Sequence, residues 1–134
     1  MKYYHCILTM MCLLLLQACN KQKEGEDFSD PAESAEAYYN LLTLEQYGRF
    51  VSGMANADNM PDDYREQMEL LVQQQMETRW QKHGQWKSID AIDTQLYGAN
   101  SDSANVFLSI SYADSTQERI MVPMVCLEDE WFMQ

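Results

Sequence analysis

The chain has 134 residues, of which 46% are hydrophobic and 11% aromatic, and its formal net charge is −12. This length fits one domain, and the hydrophobic content excludes a wholly disordered chain. Binding of nucleic acid depends on Lys and Arg side chains that neutralise phosphates. The chain has 9 Lys and Arg residues against 21 Asp and Glu residues, so we expect no nucleic-acid partner.

The N-terminal segment is an apolar run from Cys6 to Leu16 that follows a short polar start containing Lys2. The run is about half as long as the roughly 20 apolar residues that a transmembrane helix needs. Its length is typical of the core of a secretory signal peptide. We therefore predict an export signal over residues 1–18.

This segment ends in Leu16-Gln17-Ala18-Cys19, which resembles the lipobox of bacterial lipoproteins. The resemblance implies that diacylglycerol is attached to the Cys19 thiol and that the freed amine is acylated. Several acyl chains give stable membrane anchoring. We therefore expect a lipid-anchored protein of the bacterial cell envelope, with the outer membrane favoured and the leaflet left open. The alternative is an ordinary signal peptide that ends near a cysteine.

Residues 19–30 are polar and charged, and we predict a flexible tether between the lipidated Cys19 and a folded domain over residues 31–134. After processing, Cys126 has no cysteine with which to form an intramolecular disulfide. It lies in an apolar strand pattern and is interpreted as a small buried hydrophobe. A nucleophilic role would need an activating base, and the sequence nominates none.

Three helices are predicted at the start of the domain. Asp30 can cap the first helix, and Pro31 suits its first turn. A second, short helix is predicted over Leu44 to Met54. The third begins with the acidic turn at residues 61–63 and stops at Gly84.

The third helix has an apolar stripe that repeats every four residues, and we expect it to be a core face that covers the following sheet. A surface for a partner or ligand is the alternative. The stripe consists of Tyr64, Met68, Val72, Met76 and Trp80, and Leu71 broadens it.

From Trp86 the pattern changes to the alternation of β-strands. Strands are predicted over residues 89–97, 104–113 and 117–127, and a short final strand from Trp131. Pro123 cannot donate a hydrogen bond to a neighbouring strand, so it marks an edge or a bulge. Helices first and antiparallel strands last indicate a segregated α+β domain.

A family resemblance rests on three features: the helix pair DPAESAEAYYNLLTLEQYGRFVSGM, the strands SANVFLSISYAD and QERIMVPMVCLED, and the closing acidic turn with Trp131. The chain resembles small lipoprotein domains of unknown function with the cone-shaped, cystatin-like fold of nuclear transport factor two. The resemblance implies N-terminal helices packed on a curved antiparallel sheet of about four strands, with a cavity between. Related folds use the cavity for isomerases or ligand binding and the sheet for dimers, so fold alone does not decide the function.

Candidate catalytic residues are few. His83 suits a helix C-terminus, where its charge favours the dipole, and a role as a base is the alternative. Asp90 and Asp93 are predicted on opposite faces of the first strand, so they do not form an acid–base pair. Asp93 shares a face with Tyr97, which would resemble an isomerase site if it pointed inward. Exposed carboxylates on an edge strand are the alternative.

No metal or cofactor is expected. One histidine and one free cysteine in the mature chain are too few for a structural zinc site. The clusters Asp62–Asp63 and Glu128–Glu130 lack the spacing of a calcium loop. They are interpreted as a helix N-terminus and a solvated turn.

Two functions follow. The favoured one is a non-enzymatic, membrane-tethered module that binds a small molecule or a protein, with a homodimer or protein partner docked on the sheet. The alternative is a small-molecule isomerase or hydrolase that uses Asp90, Asp93 or nearby tyrosines in the cone cavity. What separates them is whether the cavity is open or filled by Trp80, Tyr97 and Phe107.

Overall fold

The computed structural model describes residues 27–134, so the predicted signal peptide, Cys19 and most of the tether lie outside the described residues. Across these residues, none of the helices combines the length and the apolar character that a membrane span requires. The Phe28 ring stacks on Tyr38 with centroids 4.9 Å apart, and the Phe28 carbonyl accepts a hydrogen bond from the Trp131 amide. The packed part of the chain therefore extends back at least to Phe28.

Within residues 27–134, three helices precede four strands, with one turn of 3₁₀ helix at Ala57–Asn59 before the third helix. The helices are α1 Pro31–Thr43, α2 Tyr47–Ser52 and α3 Asp62–His83. The strands are β1 Trp86–Tyr97, β2 Ser103–Tyr112, β3 Gln117–Leu127 and β4 Glu130–Met133.

The start of α1 is as predicted. The Asp30 carboxylate accepts hydrogen bonds from the amides of Ala32 and Glu33 at 2.9 and 3.0 Å, which satisfies two amides that lack partners within the helix. The second helix is shorter than predicted. Glu45 takes a left-handed conformation with φ of 56°, so the chain turns before α2 begins at Tyr47.

Helix α3 has the predicted bounds, but its apolar stripe is only partly buried. It ends before Gly84, whose φ of 79° is easily adopted by glycine. Met76 is buried, whereas Tyr64 and Leu71 each remain 48% exposed. Met68, Val72 and Trp80 are half-buried against the core. The stripe is therefore a core face only towards its C-terminal half.

The strands form one antiparallel sheet in the order β1-β2-β3-β4, which confirms the predicted α+β architecture. One face of the sheet packs on the helices, and the other, which we call the outer face, does not. The alternate residues of β2 that face the helices are almost fully buried: Ala104, Val106, Leu108, Ile110 and Tyr112. The free edge of β4 is covered by the loop after α2, because Met133 exchanges backbone hydrogen bonds with Gly53 and Ala55.

Two bulges in β1 overturn the predicted facing of its residues. Lys87 and Ile92 are each extra residues opposite β2, and each reverses the alternation that follows. Asp90 pairs with Ser109 and Asp93 with Phe107, so both carboxylates lie on the outer face. The prediction that they occupy opposite faces is wrong because an unbroken alternation was assumed.

Pro123 pairs with Asn105 in regular register, so it does not mark a bulge. Strand β4 pairs with β3 only from Met124 to Leu127, so Pro123 lies where the side of β3 away from β2 becomes an edge. Its carbonyl accepts from the Gln134 amide, on the side away from β2. In an antiparallel strand the nitrogen of a residue points to the same side as its carbonyl. The proline therefore removes no hydrogen bond from the β2–β3 ladder.

Candidate functional site

A cavity of about 120 Å³ lies between the helices and the sheet. It exists because α3 packs against α2 and stands off the sheet at this point. Helices α1 and α2 supply Tyr39, Leu42 and Phe50, helix α3 supplies Val72, Gln75, Met76 and Arg79, and the sheet supplies Trp86 and Ile120. The wall is thus mainly apolar and aromatic, with three polar side chains: Tyr39, Gln75 and Arg79.

Aromatic rings pack against one another along one wall of the cavity. Tyr39 stacks on Trp86 with ring centroids 6.2 Å apart, and the Phe50 ring meets Tyr39 edge-on at 5.5 Å. Behind them, Trp86 contacts Trp80 and Tyr112 edge-on, each at 6.4 Å. These contacts hold the rings in fixed orientations, so the wall is pre-formed.

An ion pair links α3 to the sheet beside the cavity. Arg79 Nη1 donates to Glu118 Oε1 at 3.0 Å and to Oε2 at 3.1 Å, and the Tyr112 hydroxyl donates to Glu118 Oε2 at 2.5 Å. The Arg79 and Glu118 side chains are 42% and 34% exposed, so solvent screens the pair. Glu118 reaches the helices because it shares the inner face of β3 with Ile120.

The phenols near this pair keep their protons at neutral pH. Burial raises the pKa of the Tyr39 hydroxyl, while the charge of Arg79 partly lowers it and that of Glu118 raises it further. Burial also raises the pKa of Tyr112, and its hydrogen bond to the Glu118 carboxylate acts in the same direction. Both hydroxyls are therefore available as hydrogen-bond donors rather than as anions.

At the end of α3, His83 Nδ1 lies 2.9 Å from Asp114 Oδ2. The pKa of Asp114 is lowered to about 2, first by its hydrogen bonds with Thr116 and then by the one with His83. His83 therefore lies at the helix C-terminus as predicted, and it joins the helix to the β2–β3 turn. In this arrangement it does not face the cavity.

Neither the models of known protein families nor the curated protein sequences match this chain. A solved structure does resemble it: a Campylobacter jejuni protein named "Putative NTF2-like transpeptidase". The two have a TM-score of 0.58 and 13% sequence identity, over 74% of this chain and 92% of that one. The chain has the nuclear transport factor two-like fold. At this identity the likeness shows the fold alone.

Within the nuclear transport factor two-like fold, most of the residues singled out from the sequence lie away from the cavity. Asp90, Asp93 and Tyr97 are exposed on the outer face of β1, so the isomerase-like arrangement with an inward Asp93 is absent. Phe107 also lies on the outer face and Trp80 lines no part of the cavity wall. The three side chains that could have filled the cone therefore leave it open.

The remaining candidates are also separate from the cavity. Cys126 is half-buried against the core, at the end of β3 remote from His83. Asp62, Asp63 and the residues of the Glu128–Glu130 turn are exposed. Over residues 27–134, no group of three or more His, Cys, Asp or Glu side chains is placed to hold a metal ion.

Sequence reasoning missed the polar residues that do reach the cavity or its border: Tyr39, Gln75, Arg79, Tyr112 and Glu118. A usable signal existed for Glu118, because the alternation of Ile120, Val122 and Met124 extends back to it and places it on the inner face. Arg79 directly precedes Trp80 of the stripe, and this position at the border of the stripe indicates a side chain at the rim of the cavity. Their pairing across 39 residues has no local signal.

Proposed function

We propose that this chain is a non-enzymatic binding module, anchored by lipid in a bacterial cell envelope, that takes a small and mainly apolar molecule into its cone cavity. The observation that carries the proposal is the composition of the cavity wall. Binding sites for small molecules are mostly apolar with a few polar groups that fix orientation. Here Tyr39, Gln75 and Arg79 supply those groups.

The size of the cavity limits its occupant. An apolar protein cavity of about 150 Å³ is known to bind benzene, and this cavity of about 120 Å³ is slightly smaller. The occupant is therefore about one aromatic ring, or a branched aliphatic group of the same size. Stacking on Tyr39 and Trp86 favours a ring.

We propose no catalytic role because the ionisable side chains near the cavity are already paired with other side chains. Glu118 already accepts hydrogen bonds from Arg79 and Tyr112, and His83 is engaged with Asp114. A transpeptidase of the kind named for the Campylobacter jejuni protein would need a nucleophile beside a base. Cys126 and His83 lie at opposite ends of the sheet, so they do not form such a pair.

Benzyl alcohol is a suitable probe because it has one ring and one neutral polar group. We expect it to raise the melting temperature of the purified chain, as any ligand of the folded state does. Val72→Phe, which places a ring in the cavity, should abolish the rise, whereas Met121→Phe on the outer face should preserve it. No rise in melting temperature at saturating benzyl alcohol would refute a ligand-binding cavity.

The envelope location is proposed from the lipobox-like residues that end at Cys19. Metabolic labelling with palmitate should mark the chain and fractionate it with membranes. Cys19→Ser should remove the label, and Cys126→Ser is the matched control that should retain it. A label that survives Cys19→Ser, or no label on the unaltered chain, would contradict lipid anchoring.

We also propose that a second copy of the chain docks on the outer face. Its apolar side chains include Phe107, which pairs with Met121, and Phe132, which pairs with Val125. The Met121 side chain is 53% exposed. Asp90 and Arg119 lie in one row, on either side of Ser109. A twofold axis parallel to β2 would place each Asp90 opposite the Arg119 of the other copy, and this arrangement is self-complementary.

Charge reversal tests this interface. Arg119→Asp alone should shift the chain to a monomer in light scattering, as should Asp90→Arg alone, because each places like charges opposite one another. Combining the two substitutions should restore the dimer. A monomeric unaltered chain at high concentration, or a dimer that neither substitution weakens, would argue against this contact.

A further inference from the structure

Arg79 has hydrogen-bond donors that the protein does not use. A guanidinium group carries five N–H donors. Within residues 27–134, Arg79 donates from Nη1 to Glu118, and its guanidinium also acts on the Tyr112 hydroxyl, whose pKa, raised by burial, it partly lowers. The Nε and Nη2 groups form the other edge of the fork. That edge can donate two parallel hydrogen bonds to the two oxygens of a carboxylate.

Arg79 is also placed where a ligand would meet it. It lines the cavity together with Gln75, and it lines a surface hollow of about 400 Å³ with Lys82 and His83. No other Lys, Arg or His in the described residues lines the cavity. The cavity is thus apolar inside and has one cationic group at its border, in a chain whose net charge is −12.

The existing pair with Glu118 does not block this edge of Arg79. Glu118 accepts from Nη1, and the Tyr112 hydroxyl holds the same carboxylate from the sheet. A second carboxylate on the Nε and Nη2 edge would lie in the guanidinium plane, at a different edge from Glu118. Repulsion from Glu118 weakens the contact, while Lys82 at the neighbouring hollow offsets part of that repulsion.

We infer that the ligand of the cavity is a small aromatic monocarboxylate, with its ring between Tyr39 and Met76 and its carboxylate on the free edge of Arg79. This inference rests on the proposed function and adds the chemical class of the ligand. The ring follows from the volume and the aromatic wall, and the acid group follows from the unused guanidinium donors. An aliphatic amine or other cation is disfavoured because Arg79 would repel it.

The test compares benzoate with benzyl alcohol, which has a ring of the same size and no charge. Tryptophan fluorescence reports binding, because Trp86 lines the cavity. The purified full chain should bind benzoate about tenfold more tightly than benzyl alcohol, a typical gain for a charge-assisted bidentate contact. Arg79→Gln should remove that preference, and a circular-dichroism spectrum and urea midpoint close to those of the unaltered chain would show that the variant is folded.

Two further variants separate geometry from charge. Arg79→Lys retains the positive charge but lacks the planar fork, so the preference for benzoate should fall to an intermediate value. Lys87→Gln is the matched control, since it removes one positive charge from an exposed position at the first bulge of β1. It should leave the preference unchanged.

Each outcome decides one of the two proposals. Equal affinity for both probes in the unaltered chain, or a preference that survives Arg79→Gln, would overturn the carboxylate assignment and leave the binding module standing. Binding of neither probe would overturn the binding module itself. Loss of the preference in Lys87→Gln as well would show a general effect of net charge and overturn the role of Arg79.

Discussion

Val72→Ile tests most directly whether the cavity beside α3 has room for one added methylene. Val72 is half-buried and lines the cavity from α3. The cavity of about 120 Å³ is several times larger than the volume of a water molecule in the liquid, about 30 Å³, so an added methylene fits. Burying one methylene contributes about 0.8 kcal/mol to the free energy of unfolding. Both residues are β-branched, so helix propensity changes little.

We expect Val72→Ile to raise the melting temperature by about 3–6 °C, since 1 kcal/mol corresponds to about 4–8 °C in a domain of this size. Val72→Ala removes apolar contacts and enlarges the cavity, so it should lower the free energy of unfolding by about 1–2 kcal/mol. Val125→Ile on the outer face is the control and should change it by less than about 0.5 kcal/mol. Urea unfolding followed by circular dichroism measures all three. A loss of 1 kcal/mol or more in Val72→Ile would indicate overpacking and refute an open cavity.

Three further substitutions test the contacts around the site. The pKa of Asp114 is about 2 in the folded chain, so its stabilising contribution is present above about pH 4 and is lost as pH falls. The free energies of unfolding of Asp114→Asn and the unaltered chain should therefore converge near pH 2 in acid titrations. A difference that does not change with pH would contradict this. Tyr112→Phe removes a hydrogen bond to a carboxylate and should lower the free energy of unfolding in urea by about 1 kcal/mol. Because the pKa of Tyr112 is raised, the contribution of this hydrogen bond should be lost only above about pH 10. A substitution effect of the same size at pH 7 and pH 11 would be inconsistent with this. Gly84→Ala should lower the melting temperature, because φ is 79° and the new Cβ would lie 2.8 Å from that of Ala113; an unchanged melting temperature would show that the helix end relaxes.

The elements that the sequence predicts well are those with local physical causes. Asp30 and Pro31 start α1 through capping and a fixed φ, and Gly84 ends α3 because the chain needs a residue with positive φ there. The alternation of β2 is unbroken, so its inner face was predicted correctly. These features depend on neighbours within a few residues along the chain, so the local sequence predicts them.

The features that were missed depend on pairing across the chain. The bulge at Ile92 is set by how β1 registers on β2, and the Glu36 carboxylate of α1 accepts a hydrogen bond from the Ala91 amide beside it. A local alternation cannot reveal that insertion, so Asp93 was placed on the wrong face relative to Asp90. The tolerance of Pro123 likewise depends on which neighbouring strand its nitrogen faces, and a local pattern does not show this.

The candidate site was the least predictable part. Arg79 and Glu118 each have an ordinary role in isolation, as an exposed helix residue and a charged strand residue. Only the fold brings them together with Tyr112 and leaves Arg79 donors unused beside an aromatic cavity. Such a site is defined by contacts between distant residues, so its chemistry follows from the structure rather than from a motif.

We propose that the cone of this fold is an accessible binding cavity, and the methionine methyl signals measure this directly. Met76 lines the cavity, whereas Met121 lies on the outer face and is 53% exposed. In a spectrum of the chain labelled with ¹³C-methyl methionine, titration with benzyl alcohol should shift the Met76 signal and leave that of Met121 in place. A Met76 signal that stays fixed at saturating benzyl alcohol, or a shift at Met121 alone, would contradict the account.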